Sequence, residues 1–407
     1  MKKKIDQKNR IKKYKTVNYF KLICLFCFII LIKSLKKYDQ FINYHYLKIL
    51  KLKEEIIDSS NYKNFDKIKL KFINDTFLKE NLEQINILSH VYNKNLIQLK
   101  NNKNNVHITI TINNKYIYPA LVSIESVLIN CNKSRTFITY HILCGPDFSE
   151  INIKKLKTLM NRYSLNLELI FYNLGNNFWY LSKCRLTQIT FYRLLLPIFV
   201  DINRILHLDL DTLIFKDLTE IYDEDFNENY ILGILDYLWQ GVDYLGLKSE
   251  KYINAGVLLI NLEKIRNDKK YYDLINITKN EYLKNDDQTA LNFVLYPKIG
   301  IFPNKYVFFN FHDELDIDLY TKIIRTKLDI KELVKFYKDP TIIHYCLCSP
   351  KIWLQRTEYS KKYSQCEKRN NCKCTKDFHL WYSYANKTDY YEEIVNYYKV
   401  KIFRTNL

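Results

Sequence analysis

The sequence predicts an α/β fold: a mainly parallel central sheet with helices on both faces. Two observations carry this. Period-two and period-3.6 segments alternate from about residue 106, and the most strand-like segment in the chain is interrupted by two carboxylates, Asp209 and Asp211. In order, VHITITI is strand-like, with Val106, Ile108, Ile110 and Ile112 alternating. PALVSIESVLINC repeats at helical spacing, with Pro119 suited to a first turn. TFITYHIL reads as a strand, SEINIKKLKTLMNRY as a helix capped by Ser149, and LNLELIFY as a strand. Such β-α-β-α-β alternation specifies parallel strands whose right-handed crossovers bring the strand C-termini to one edge, where ligands of open sheets bind.

ILHLDLDTLIF, residues 205–215, reads as the next strand, with Asp209 and Asp211 near its C-terminal end. Residues two apart on an extended chain project to one side, so the carboxylates converge. Burying them without compensation is strongly unfavourable, which makes the pair a candidate site for a hard divalent cation. Asp223-Glu224-Asp225 and Asp316-Ile317-Asp318 have the same spacing but follow no strand-like run, and read as solvated turns or helix starts. KYINAGVLLINLEKIR reads as a strand preceded by a small-residue turn, Asn254-Ala255-Gly256. NDDQTALNFVL opens a helix with acids in its first turn, and TIIHYCLCSPKIW is a strand over 341–346. His344 is the candidate third metal ligand, since imidazole with two carboxylates suits Mn²⁺. Lys351 is a candidate point charge against phosphate oxygens. A core histidine and a surface lysine are the plain alternatives.

The net charge of +19 suggests a polyanion partner. The 35 Tyr, 7 Gly and abundance of Lys, Asn and Ile instead point to an AT-rich coding bias, and no nucleic-acid-binding signature accompanies the charge. MKKKIDQKNRIKKYK alone holds eight basic residues against one acid, +7 of the total. No nucleic-acid partner is therefore expected, and the rival reading is binding through this tail. No G-x-G-x-x-G, Walker A or nucleophile-elbow segment is present.

After the basic tail (1–16) comes an apolar run whose core, Leu22 to Ile32, is eleven residues. That is short for a spanning helix, which needs roughly 20, but extending to Val17 with Lys21 snorkelling makes a marginal signal anchor (17–33). Lys33, Lys36 and Lys37 follow where a cleavage site would need small residues. The expectation is an uncleaved type II anchor in the Golgi or endoplasmic reticulum membrane, with the catalytic domain luminal. A buried or amphipathic helix is the alternative. Residues 34–105, Lys- and Asn-rich without Gly or Pro, read as a partly helical stem. Cys346, Cys348, Cys366, Cys372 and Cys374 crowd near the C-terminus, in an arrangement that favours disulfides in a lumen and leaves zinc as the alternative. Sequons at Asn74, Asn132, Asn276 and Asn386 weigh little in so Asn-rich a chain. The domains are then 1–16 tail, 17–33 anchor, 34–105 stem, 106–355 catalytic domain and 356–407 Cys/Tyr-rich extension.

Four blocks resemble the retaining glycosyltransferases of family 8, which include glycogenin and the bacterial lipopolysaccharide galactosyltransferases. They are HITITINNKYIYPALVSIESVL, ITFYRLLLPIFVDINRILHLDLDTLIFKDLTEIYD, YINAGVLLINLEKIR and IIHYCLCSPKIW, with DDQTALN between the last two. The resemblance covers 106–355 and implies a Rossmann-like nucleotide-diphospho-sugar transferase fold and a metal-dependent enzyme moving a hexose or pentose from a UDP-sugar. The acceptor, a glycan, protein or lipid, stays open. It implies Asp209, Asp211 and His344 as ligands of Mn²⁺ or Mg²⁺, with Asp209 also near the ribose. Thr111, Asn113 and Lys115 would hold uracil and ribose, and Arg193 the donor. Asn254, Ala255 and Gly256 would line the sugar pocket, Asp287 would bind sugar hydroxyls, and Gln288 would lie close to the anomeric carbon. Lys351 and Trp353 would close over the diphosphate. The chain departs from the family's H-x-x-G-x-x-K-P-W pattern: from His344 to Trp353 it is one residue longer and lacks the glycine. A catalytically inactive carbohydrate- or nucleotide-binding protein on the same fold is the alternative.

Overall fold

Apolar alternation along the strands would be idle without something to cover both faces, and the computed structural model shows what does. It describes residues 86–91, 103–163, 167–174, 188–236, 251–278, 286–303, 305–309, 339–346, 351–354 and 373–398. The chain divides into two units, Met1–Leu70 and Lys71–Leu407, and every described residue lies in the second. The expected tail and anchor lie outside the described residues. Among the described residues no helix is long and apolar enough to cross a membrane.

In chain order the elements are β1 (Asn86–Val91), β2 (Asn104–Ile112), α1 (Ile117–Asn130), β3 (Thr136–Cys144), α2 (Glu150–Tyr163) and β4 (Leu167–Asn173). A 3-10 segment, Gln188–Leu195, leads into α3 (Leu196–Phe199), β5 (Arg204–Leu208), β6 (Thr212–Ile214), α4 (Thr219–Tyr222) and β7 (Ile231–Leu235). Then come β8 (Ile253–Asn261), α5 (Leu262–Asn267), α6 (Lys270–Ile277), α7 (Asp286–Leu295), β9 (Ile299–Ile301), β10 (Val307–Phe309), β11 (Ile342–His344), α8 (Lys373–Ala385) and α9 (Tyr391–Tyr397). The predicted first half is present: Ser149 does sit before α2, accepting from the Asn152 N–H at 3.3 Å, and Pro119 lies in the first turn of α1.

The strands form an eight-stranded sheet in the order β1-β4-β3-β2-β5-β8-β7-β9 and a three-stranded sheet in the order β10-β11-β6. The large sheet is mostly parallel: β4, β3, β2 and β5 run together, while β1 and β8 pair antiparallel. Period-two alternation sorts its side chains to two faces. Ile108, Ile110, Leu206, Val257 and Leu259 pack on one side with α1, α2 and α8. Leu143, Ile205, Leu258 and Ile260 pack on the other with the 3-10 segment, α5, α6 and α7. β3 is buried along its whole length, which is why it reads as a nearly continuous apolar run.

Four expectations need correction. ILHLDLDTLIF is not one strand: the chain leaves the large sheet after Leu208, turns through Asp209–Asp211, and enters the small sheet at Thr212. Asn254-Ala255-Gly256 does not precede the strand but lies inside β8. The strand predicted over 341–346 is three residues long. Asn86–Val91, within the segment read as stem, is the strand that edges the large sheet against β4.

Candidate active site

Two parallel strands build the edge. β2 and β5 are neighbours in register, Ile108 against Leu206 and Thr109 against His207, so their C-termini open on the same side. Asp209 follows β5, and its N–H donates to the Gly256 carbonyl of β8 at 2.7 Å. β11 pairs with β6 so that His344 lies opposite Thr212, and the Tyr345 N–H donates to the Asp211 carbonyl at 2.8 Å. This pairing delivers the imidazole to the carboxylates. His344 Nε2 lies 3.2 Å from Asp211 Oδ1 and 3.9 Å from Asp209 Oδ2.

Asp209, Asp211 and His344 each offer a ligand atom, all within 4.8 Å of one another. Two carboxylates and one imidazole suit a hard-to-borderline divalent cation. Two further features fit such a group. The Lys351 ammonium rests on Asp211 Oδ2, putting positive charge where an ion's charge would fall. Gly256 leaves room for the ring: a Cβ there would stand 2.0 Å from His344 Cε1 and 2.5 Å from Nε2. That glycine is required by space, not by backbone conformation.

The surrounding charges are tuned together. Burial opposes ionisation of Asp209, but Arg193 and His207 outweigh it and hold the carboxyl well below the usual range. Asp211 is more deeply buried than the half-buried Asp209, and Lys351 and His344 hold its pKa far down. Burial, then Arg193, pushes His207 down to about 4. His207 is therefore neutral near pH 7 and donates from Nε2 to Asp209 Oδ1 at 3.1 Å. His344 moves the other way: burial opposes its charge, yet Cys346 and Asp211 raise it well above an ordinary histidine.

Arg193, 4% exposed, ties the acids together. Its Nη2 donates to Asp209 Oδ1 at 3.0 Å, its Nη1 to the Ala255 carbonyl at 2.5 Å, and its Nε lies 3.1 Å from Asp287 Oδ2. Burial would lower its pKa, but Asp287 and Asp209 keep it above the ordinary value. Gln288 is fixed at both ends of its amide, accepting from the Ala255 N–H at 3.0 Å and donating to Asp236 Oδ2 at 2.9 Å. Asn254 donates to the same Asp236 oxygen at 3.2 Å and accepts from the Gly256 N–H at 2.9 Å.

The structure thus brings together Asp209, Asp211, His344, Lys351, Arg193, Asp287, Gln288 and Asn254–Gly256. Thr111, Asn113 and Lys115 sit at the end of β2 on the same edge, where the Asn113 side chain accepts from the Lys115 N–H at 3.0 Å. Trp353 is 4% exposed and lies edge-on to Tyr116 of that loop, ring centres 6.1 Å apart. Cys346 is a free thiol, so it takes no part in the expected disulfides. Cys348, Cys366 and Cys372 lie outside the described residues. Sequence reasoning missed Asp236 and His207. Asp236 had a signal, since ILGILD ends an apolar strand in a carboxylate just as ILHLD does.

A mostly parallel sheet with acids and an imidazole at its carboxyl edge defines a class, the α/β proteins that hold a ligand at a strand terminus. The chain belongs to glycosyltransferase family 8, whose model matches residues 107–357, more than half of the chain. Among curated relatives it is 30% identical over 132 residues to glycosyltransferase GlyE of Streptococcus pneumoniae serotype 4, covering 32% of this chain and 30% of that protein. It thus spans about a third of that relative's length. Among solved structures it resembles the bifunctional glycosyltransferase WbbM (TM-score 0.55, 17% identity, 72% of this chain and 52% of that one). It also resembles the galactosyltransferase LgtC (TM-score 0.51, 19% identity, 70% and 96%), whose structure holds donor and acceptor sugar analogues. At these identities the structural matches speak for the fold alone.

Proposed function

We propose that this glycosyltransferase is metal-dependent and retaining, and moves a hexose or pentose from a UDP-sugar to a glycan, protein or lipid acceptor. The observation that carries the proposal is the convergence of Asp209, Asp211 and His344 at the carboxyl edge of the parallel sheet. Those three side chains would hold Mn²⁺ or Mg²⁺. When bound, the ion supplies Lewis-acid neutralisation of the charge that develops on a departing diphosphate. Lys351, seated on Asp211, is placed to add its charge to the same oxygens.

Thr111, Asn113 and Lys115 then take the uracil and ribose, and Trp353 covers the diphosphate. Asn254, Ala255, Asp287 and Arg193 shape the sugar pocket. Gln288 lies at the position nearest the anomeric carbon, and an amide held at both ends is a poor nucleophile. Attack by the acceptor on the leaving-group face, with the leaving phosphate taking the acceptor's proton, accounts for retention without a covalent intermediate. Hydrolysis of a panel of UDP-sugars with Mn²⁺ tests the reading. Turnover of one or more sugars that chelator abolishes is the expected result, and no turnover of any would overturn it.

The pairing of Lys351 with Asp211 favours a second reading, an inactive nucleotide- or carbohydrate-binding protein, because the lysine is already engaged within the chain. It predicts a UDP- and Mn²⁺-dependent thermal shift without hydrolysis. The basic segment 1–16 and the apolar run 17–33 support a type II anchor with the catalytic domain in the lumen of the endoplasmic reticulum or Golgi. Protease protection of the domain in sealed vesicles tests this.

A further inference from the structure

The family match stops at residue 357. Beyond it, α8 does not stand apart from the catalytic domain: Trp381, 1% exposed, and Tyr382, 5% exposed, lie in the same core as α1 and β2. Two of their contacts go to one residue. The Tyr382 hydroxyl donates to the Trp353 carbonyl at 2.9 Å, and the Trp381 and Trp353 ring centres lie 6.0 Å apart. Trp353 closes a short turn, 351–354, in which the Leu354 N–H donates to the Lys351 carbonyl at 2.9 Å. Lys351, at the head of that turn, reaches Asp211.

We infer that α8 is a positioning element of the active site, in which Tyr382 and Trp381 hold the Lys351–Trp353 turn against the metal-ligating acids. The inference rests on the proposed donor-binding reading and deepens it. Its physical ground lies in the loop's own sequence. The chain between His344 and Lys351 is one residue longer than the family pattern and has no glycine, so contacts from outside the loop gain weight in placing Lys351. The Tyr382 hydroxyl, donating to Trp353's own carbonyl, supplies such an anchor from outside the loop. Trp353 passes the constraint on to Tyr116, so a single aromatic series joins α8 to the loop after β2.

Tyr382→Phe removes the hydrogen bond and keeps the ring. Tyr384→Phe on the same helix is the control, because its hydroxyl meets Asn130 Nδ2 at 3.2 Å, away from the turn. Two measurements are made on the full chain. Deuterium exchange of the ligand-free protein should show faster exchange at 351–354 in Tyr382→Phe and not in Tyr384→Phe. Calorimetry with UDP in Mn²⁺ should show affinity weakened roughly three- to tenfold, the size of one lost neutral hydrogen bond, in Tyr382→Phe alone. In a Lys351→Ala background the further loss should vanish, since both changes act on the same contact. Unchanged affinity in Tyr382→Phe, with or without faster exchange, overturns the inference and leaves the donor reading standing. Absence of UDP binding by the unaltered chain overturns the donor reading and the inference together.

Discussion

Asp209-Leu210-Asp211 and Asp223-Glu224-Asp225 carry the same acidic spacing fourteen residues apart, and the protein uses them differently. The first pair ends a buried strand, where Arg193, His207, His344 and Lys351 close around it. The second ends α4 on the surface. Asp225 accepts from the Asn227 N–H at 2.9 Å, and Glu224 accepts from the Tyr306 hydroxyl at 2.5 Å. The spacing is common to both. What separates them is that strands from two sheets terminate at the first, whereas a helix end and a turn meet the second, so at the first cations and an imidazole meet the carboxylates themselves, while at the second Arg204 reaches the Glu224 backbone carbonyl at 3.2 Å.

The comparison is tested most severely by neutralising one carboxylate in each region. Asp211→Asn should cut turnover by about 10³-fold or more, the several kcal/mol expected of a metal-stabilised leaving group, while the melting temperature reports an intact fold. Near-normal turnover would erase the distinction. Next in size is Gly256→Ala. Its Cβ would fall 2.0 Å from His344 Cε1, so the ring must move off Asp211. Mn²⁺ affinity measured by calorimetry should drop roughly 10- to 100-fold.

The third test is pH. Because Cys346 and Asp211 raise the folded pKa of His344 against the opposing effect of burial, the ion-free protein holds a proton on this imidazole to higher pH than an ordinary histidine does. An ion must displace that proton. Mn²⁺ affinity should therefore rise about tenfold per pH unit through the neutral range and level off above the folded pKa of His344. The same shift stabilises the ion-free fold below the unfolded histidine pKa, and this stabilisation is lost as pH rises through the folded value. Chemical denaturation across pH, with chelator, checks the sign. The smallest effect belongs to the surface pair: Asp225→Asn should change stability by less than about 0.5 kcal/mol and leave turnover alone.

Much of the architecture was legible because burial imposes short periods. Alternation in VHITITI and the buried run of TFITYHIL mark strands whatever lies around them, and Asp209, Asp211 and His344 stood out as polar groups ending apolar runs. What was hidden depends on partners distant in sequence. No local pattern says that ILHLDLDTLIF changes sheets at its acids, since both halves are equally strand-like. β1 escaped notice because an edge strand has one neighbour and need not alternate, and its pairing with β4 spans some eighty residues. The Tyr-rich tail resisted assignment because several of its aromatic residues find partners on α1, on α2 and at Trp353, far away in sequence.

The passage of the chain from the large sheet to the small one at Asp209–Asp211 gives the turn two independent supports. Leu208 is pinned through β8 and Thr212 through β11, and these strands share no ladder. The carboxylates therefore ride on a span clamped at each bank, like the deck of a short bridge. A slip of either abutment by one residue would swing the deck, and with it the grip on a cation, before any helix had loosened.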